Sequence, residues 1–434
     1  MSRLLKDLYA QESKQVEPTD EAKKEQELAL ESISVDLEDR SHKINVESLR
    51  LEALEDAANT LVDIGVSVSQ IPEENFTGFT KEAYQCSLES ALPELEYKPN
   101  EDQRSFVRRI LDALKKFWNG VVQTAKRIGR MLVDFFERVF GGTELLRKKH
   151  NRIINRLKEL QGYNERAVVP KTDTISISRA SVLQFKGELS FNAIANGASI
   201  IFEELYPSSN NLANAINTYY TQEFDKYTDE ITRVRSLEEK LRYSFEKSKK
   251  VDEDFHAKVQ KEEIMRNGQP LPGNHVLRID EPQVKQKVLD DEILQYKEYS
   301  RPRIEKDTES RDIGDRDVEI DMPVRLQDID AVMVISEELF KQLNDAESRR
   351  RALSKAMDRR LDRDLSELIR QDTEGEITKI QAMKEAFIAG RTSKLVEREE
   401  VRFLMEIDRL TFRYMNAFLN AVEKIINNYE LAQA

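Results

Sequence analysis

The chain has 434 residues, 34% of them charged, with 14 Gly, 11 Pro and one Cys. So few turn residues exclude a β-sandwich or barrel, and the single Cys86 excludes an internal disulfide framework and a cysteine-rich metal site. The net charge of −13 is uneven: residues 1–103 hold 10 Lys/Arg against 24 Asp/Glu, and residues 104–160 hold 15 against 5.

Residues 1–35 are polar and acidic, with Leu4, Leu5 and Leu8 as an early apolar cluster, and read as disordered or loosely helical. From Leu37 to Val68, apolar residues at helical spacing (Ile44, Val46, Leu49, Leu51, Leu54, Leu61, Val62, Ile64) predict one helix ending near Gly65. A short helix is expected around Lys81–Leu92. Pro93 and Pro99 then set a boundary near residue 100, leaving 1–100 as an acidic arm and possible propeptide.

Arg104 to Phe140 is the organising stretch. Ile110, Leu114, Phe117, Val121, Ile128, Phe135 and Val139 recur at three- and four-residue steps, with the chain's one Trp, Trp118, in the middle. Gly141-Gly142 is expected to end this helix, and Thr143 to cap a second basic helix, Glu144 to Gln161, so that 101–162 forms a helical hairpin. The alternation in 167–178 is the best strand candidate. Two short helices around a Lys186-Gly187 turn and a long or broken helix over 209–263 complete a helical body, 163–265. Residues 266–325 read as a loop-rich linker. Helices over 327–371 and 377–431 make a C-terminal hairpin, 326–434. The fold class is mainly α, an extended multi-helix protein with at most one or two short strands near 167–178.

Motifs that carry chemistry are missing from the sequence. There is no G-x-x-x-x-G-K-[ST] phosphate loop, no G-x-G-x-x-G, no H-x-x-x-H and no G-x-S-x-G. Ser244-Phe245-Glu246-Lys247 fits S-x-x-K only formally. Asp312, Asp315, Asp317, Glu319 and Asp321 alternate like hard-cation ligands, but Gly314 is misplaced for a calcium loop and no closing Glu follows. Cys86 has no activating neighbour beyond Lys81. The expectation is a non-enzymatic protein with no metal and no cofactor. No apolar run reaches the roughly 18 residues that span a bilayer, and MSRLLKDLYAQESKQ lacks the core of a Sec signal, which points to a soluble protein made inside the cell.

The basic helix has three readings. It is a helix packed in a bundle, a face held against nucleic acid, or an interfacial membrane helix. Its candidate DNA-facing residues are Arg108, Lys115, Lys116, Lys126, Arg127, Arg130, Arg147, Lys148 and Lys149. Without a base-reading module, any nucleic-acid binding would be sequence-independent and salt-sensitive.

The order of parts resembles the internal head proteins of large tailed bacteriophages. The features that carry the likeness are the acidic helical arm, the Leu114-Lys115-Lys116-Phe117-Trp118 and Phe135-Phe136-Glu137-Arg138-Val139-Phe140 segments and the basic helix Leu145 to Leu160. The turn at Gly187 and the aromatic-rich last helix complete it, over roughly 45–205 and 395–430. The resemblance implies a virion structural protein packaged inside the head, with packaged DNA, other head proteins and a head maturation protease as partners. A membrane surface is the alternative partner of residues 104–140, and a helical scaffold without nucleic acid is a third reading. The resemblance also implies cleavage after Glu where a small or aliphatic residue stands two places earlier. Glu31 (Ala29-Leu30-Glu31), Glu55 (Ala53-Leu54-Glu55) and Glu89 (Ser87-Leu88-Glu89) fit. Residues 1–89 hold 9 basic and 20 acidic residues, so a cut after Glu89 would leave a chain of net charge about −2.

Overall fold

The computed structural model describes residues 19–91, 101–162, 168–218, 266–279, 283–289, 292–298, 302–314, 316–322, 325–370 and 376–431. The readings for 1–18, for the Pro93–Pro99 loop, for 219–263 (with Ser244 and Lys247) and for Asp315 lie outside the described residues.

Two long helices form the frame. Helix α1 runs from Asp20 to Ser69, capped by Thr19, whose hydroxyl accepts from the Ala22 amide at 3.3 Å. It therefore starts well before Leu37 and runs through Gly65. Residues 20–35 are a full part of it, because Leu30 and Ile33 are core residues. A 3-10 turn at Glu73–Asn75 and helix α2 (Gly78–Ala91) follow. Helix α3 spans Gln103–Gln161, with Asp102 capping the Ser105 amide at 2.7 Å.

Helix α3 corrects the hairpin expectation. It is one continuous helix of 59 residues that passes through Gly141-Gly142. Thr143 does not cap a second helix; it is buried mid-helix and its hydroxyl donates to the Val139 carbonyl at 3.0 Å. The reason for Gly142 is packing. A Cβ there would lie 2.6 Å from the Phe412 ring and 3.2 Å from Ile33 Cγ2, whereas a Cβ at Gly141 would meet nothing. Gly142→Ala is therefore expected to destabilise the fold by about 1–3 kcal/mol through overpacking. Gly141→Ala should stabilise it by up to about 1 kcal/mol through helix propensity. Denaturant midpoints of the two variants check this; equal effects would show that both glycines are there for one reason.

Short elements then cross over the frame: β1 (Val168–Pro170), β2 (Thr174–Ile177), α4 (Ala180–Leu183), α5 (Phe191–Ser199), a π-helical turn (Ile200–Leu205) and α6 (Tyr206–Thr218). The Lys186-Gly187 turn is present, with φ of 52° and 76°, closed by the Phe185–Glu188 bridge. Residues 266–325 are not simply a linker. They hold β3 (Pro270–Leu271), β4 (His275–Arg278), β5 (Gln283–Leu289), β6 (Glu292–Glu298), β7 (Arg303–Lys306) and β8 (Val318–Asp321). Helices α7 (Leu326–Arg370) and α8 (Glu376–Asn427) and a last strand β9 (Tyr429–Leu431) end the chain.

The strands are clasps in small antiparallel sheets: β1 with β9, β2 with β8, β5 with β6, and β3-β4-β7. The protein is mainly α, as expected, with more short strands than the two near 167–178.

Two cores form along α3. Its first turns (Phe106, Val107, Ile110, Leu111, Leu114) pack with Leu61, Val62, Ile64 and Val68 of α1 and Leu88 of α2. From Val121 to Leu160 its stripe faces the amino-terminal half of α1 together with α7 and α8. At the far side of the larger core, Arg350 of α7 lies buried against Asp408 of α8, 3.0 Å apart, and donates to the Ser209 hydroxyl of α6 at 3.2 Å. Burial pushes the Asp408 carboxyl up, and burial followed by the Asp408 charge pushes the Tyr206 phenol up.

Candidate nucleic-acid interface

The apolar stripe of α3 is occupied by packing, so what remains for function is its opposite side. Arg108, Lys115, Lys116, Arg127, Arg130 and Lys148 are exposed, and Lys126 is half-buried. Arg108, Lys115, Lys126 and Arg130 fall within about 60° on the helical wheel, so they line one edge over about 33 Å. Lys116 and Arg127 flank that edge. From Arg104 to Arg130 the helix carries eight basic residues and one acidic residue, Asp112. Among the described residues no carboxylate is paired with Arg108, Lys115, Lys116, Arg130 or Lys148.

The other basic groups of α3 are taken up by the fold, mostly by α1, which runs antiparallel to it. Glu47 holds Arg127 at 3.0 Å, Asp36 holds Arg138 at 3.0 Å, and Glu27 holds Lys149 at 3.4 Å. The pairs step along α1 by 9 and 11 residues while they step back along α3 by 11 and 11, which is the register of two facing helices. At the amino end Glu73 pairs with Arg104 and Glu101 with the half-buried Arg109. Acidic residues of α1 also reach other elements: Glu38 to Arg409 and Arg413 of α8, and Glu31 to Arg179.

Lys149 therefore cannot face DNA in this fold. It is fully buried between α1 and α8, paired with Glu27 and with Glu423 at 3.2 Å, and it donates to the Asn420 side chain. An ammonium can be buried because its donors are met by two carboxylates and an amide oxygen. Arg147 is partly withdrawn too: its guanidinium lies over the Phe340 ring at 5.7 Å and donates to Asn344 at 2.7 Å. Its neighbour His150 is buried beside Phe340, and that burial holds its imidazole below the usual range.

The three candidate cleavage glutamates differ in setting. Glu31 lies mid-helix in α1, paired to Arg179. Glu55 is buried in the same helix at 8% exposure. Glu89 stands in the last turn of α2, two residues before the helix ends at Ala91.

Within the acidic run near 312–321, Asp312 is spent on structure. Asp312 accepts from the Gly314 amide at 2.9 Å and pairs with Lys306; that Lys306 hydrogen bond, first among its causes, holds its carboxyl at about 2. Glu319 and Asp321 point outward from β8, flanking the buried Ile320. Among the described residues no group of three His, Cys, Asp or Glu is placed to hold a metal ion, and no helix is long and apolar enough to cross a membrane. Cys86 is exposed.

The described residues form a helical body in which α3 pairs part of its charge with α1. The chain belongs to the phiKZ-like phage internal head proteins, whose family model matches residues 19–391. It is thus a virion structural protein of the phage head interior. The match begins at the cap of α1 and ends within α8, so it covers more of the arm and of the middle of the chain than 45–205, and it stops short of 395–430. Neither a curated protein nor a solved structure is found to match the chain.

Proposed function

We propose that this internal head protein contacts the packaged genome through the open edge of α3, without reading sequence. The observation that supports this is the division of charge on α3. Basic groups facing α1 are matched by carboxylates in register, while Arg108, Lys115, Lys116 and Arg130 project from the other side with no ion pair among the described residues, Asp112 and Asp134 standing one turn away on the same helix. Four such groups over about 33 Å suit a phosphate backbone, and they offer nothing that distinguishes one base from another.

The full chain should bind duplex DNA of any sequence, with log K falling against log salt at a slope of about −4. Charge reversal at Lys115, Lys116 and Arg130 should flatten that slope by about 0.9 per lost phosphate contact. Binding that ignores salt, or that survives the triple reversal unchanged, would sink the proposal. The membrane alternative has less support, because the apolar face of residues 104–140 is buried in the two cores and not available to a bilayer.

The same reading gives the acidic arm a role: α1 neutralises part of α3 and of α8. Of the three candidate sites, Glu89 is the best placed, since proteases need an extended chain and a helix end frays more readily than a helix middle. Cutting there would leave α1 non-covalently docked, so cleavage and release become separate events.

A further inference from the structure

Helix α1 has three sides. Two are used: Asp36 and Glu47 face α3, and Glu38 and Asn45 face α8, where Asn45 accepts from Arg402 at 3.0 Å. The third faces outward. It carries Leu28 (66% exposed), Val35 (65%), Val46 (50%) and Leu49 (59%), four of the seven large hydrophobic residues that stand exposed among the described residues. They lie on a single row at three- and four-residue steps, with exposed Asp39 and His42 at its centre. Scattered exposed apolar residues need no explanation, but a row of this kind on one helix is the pattern of an unfilled helix seam.

The row reads nearly the same in both directions. Turned antiparallel about a point between Arg40 and Ser41, Val35 of one copy falls opposite Val46 of the other, and Leu28 opposite Ala53. Asp39, already paired with Lys43 of its own helix at 2.5 Å, falls opposite His42, a carboxylate against an imidazole, and Leu49 covers the small Ser32. Every apolar position in the row thus meets an apolar or small one, and the polar centre meets its complement. A heterologous partner would have no reason to match this internal symmetry, whereas a two-fold contact requires a self-complementary patch. We propose that the protein self-associates as an antiparallel dimer through the outer row of α1, from Leu28 to Ala53, about 38 Å of helix. Helix α1 carries 13 acidic and 5 basic residues, so two copies repel at low salt. Salt should therefore hold or tighten the dimer, the reverse of its effect on DNA binding.

The test uses the full chain in sedimentation velocity. Wild type is expected to run as a dimer. Val35→Asp with Val46→Asp should weaken it by about a hundredfold or more, with helicity by circular dichroism unchanged because both side chains are already exposed. In a Cys86→Ser background, Val35→Cys together with Val46→Cys should give a disulfide-linked dimer on oxidation. Neither single variant should, since each cysteine would then lie about 16 Å from its mate along the helix. A wild type that stays monomeric, a dimer that survives both aspartates, or single-cysteine variants that cross-link as well as the double would each overturn the proposal.

Discussion

Removing residues 1–89 is expected to abolish cooperative folding of the remaining chain. Helix α1 contributes nine buried Leu, Ile and Val side chains to the two cores: Leu30, Ile33, Leu37, Ile44, Leu51, Leu61, Val62, Ile64 and Val68. At about 1.5 kcal/mol each, a lower value for full burial, they amount to more than about 10 kcal/mol. That is the size of the whole stability of an ordinary domain. The loss would also strip carboxylates from the buried Lys149 and from Arg127 and Arg138. Residues 90–434 produced alone should show no cooperative thermal transition. Residues 1–89 supplied as a separate chain should restore one, because the contacts do not depend on the peptide bond after Glu89. A stable, cooperative 90–434 would mean that α1 is a detachable mask after all.

The second large effect lies at the Arg350–Asp408 pair. Arg350→Met leaves a carboxylate buried without its partner, where burial already disfavours its charged form. Asp408→Leu leaves a guanidinium in the same position. Each single change is expected to cost about 3–5 kcal/mol. The double variant should come within about 1 kcal/mol of wild type or exceed it, because a well-packed apolar pair avoids the desolvation of both ions. Urea unfolding of the four proteins gives the coupling directly. Additive losses would contradict the account, and so would single losses below about 1 kcal/mol.

Much of the helical frame was legible because amphipathic periodicity reports what a helix buries. The ranges of α7 and α8 and the core residues of α3 follow from it closely. Signals that depend on tertiary contact misled. Gly141-Gly142 reads as a stop, yet Gly142 is where Phe412 and Ile33 press against α3. Val46 and Leu49 read as core by type, yet they stand on the outer row of α1.

The charged residues of the core could have been found by position. Lys149 continues the buried row of Leu146 and Ile153, Arg350 the row of Leu343, Ala346 and Leu353, and Asp408 the row of Leu404, Thr411 and Met415. Counting Lys149 with the basic cluster Arg147-Lys148-Lys149 hid its place in the stripe. Of the strands of 266–325, β7 and β8 were not legible, because four residues are too few to show a period and each gains its partner from more distant sequence, as β8 does from β2. The seven-residue β5 and β6 pair with each other as a hairpin and were passed over in reading the stretch as a linker. The open edge of α3 was visible as a run of charge. Which of its members are free depended on α1.

The most direct test of the central claim is cross-linking inside the native particle. Formaldehyde or ultraviolet treatment of intact virions, followed by peptide mapping, should place DNA adducts on the peptides that carry Arg108, Lys115, Lys116 and Arg130. Adducts confined to other elements, with those peptides unmodified, would contradict it.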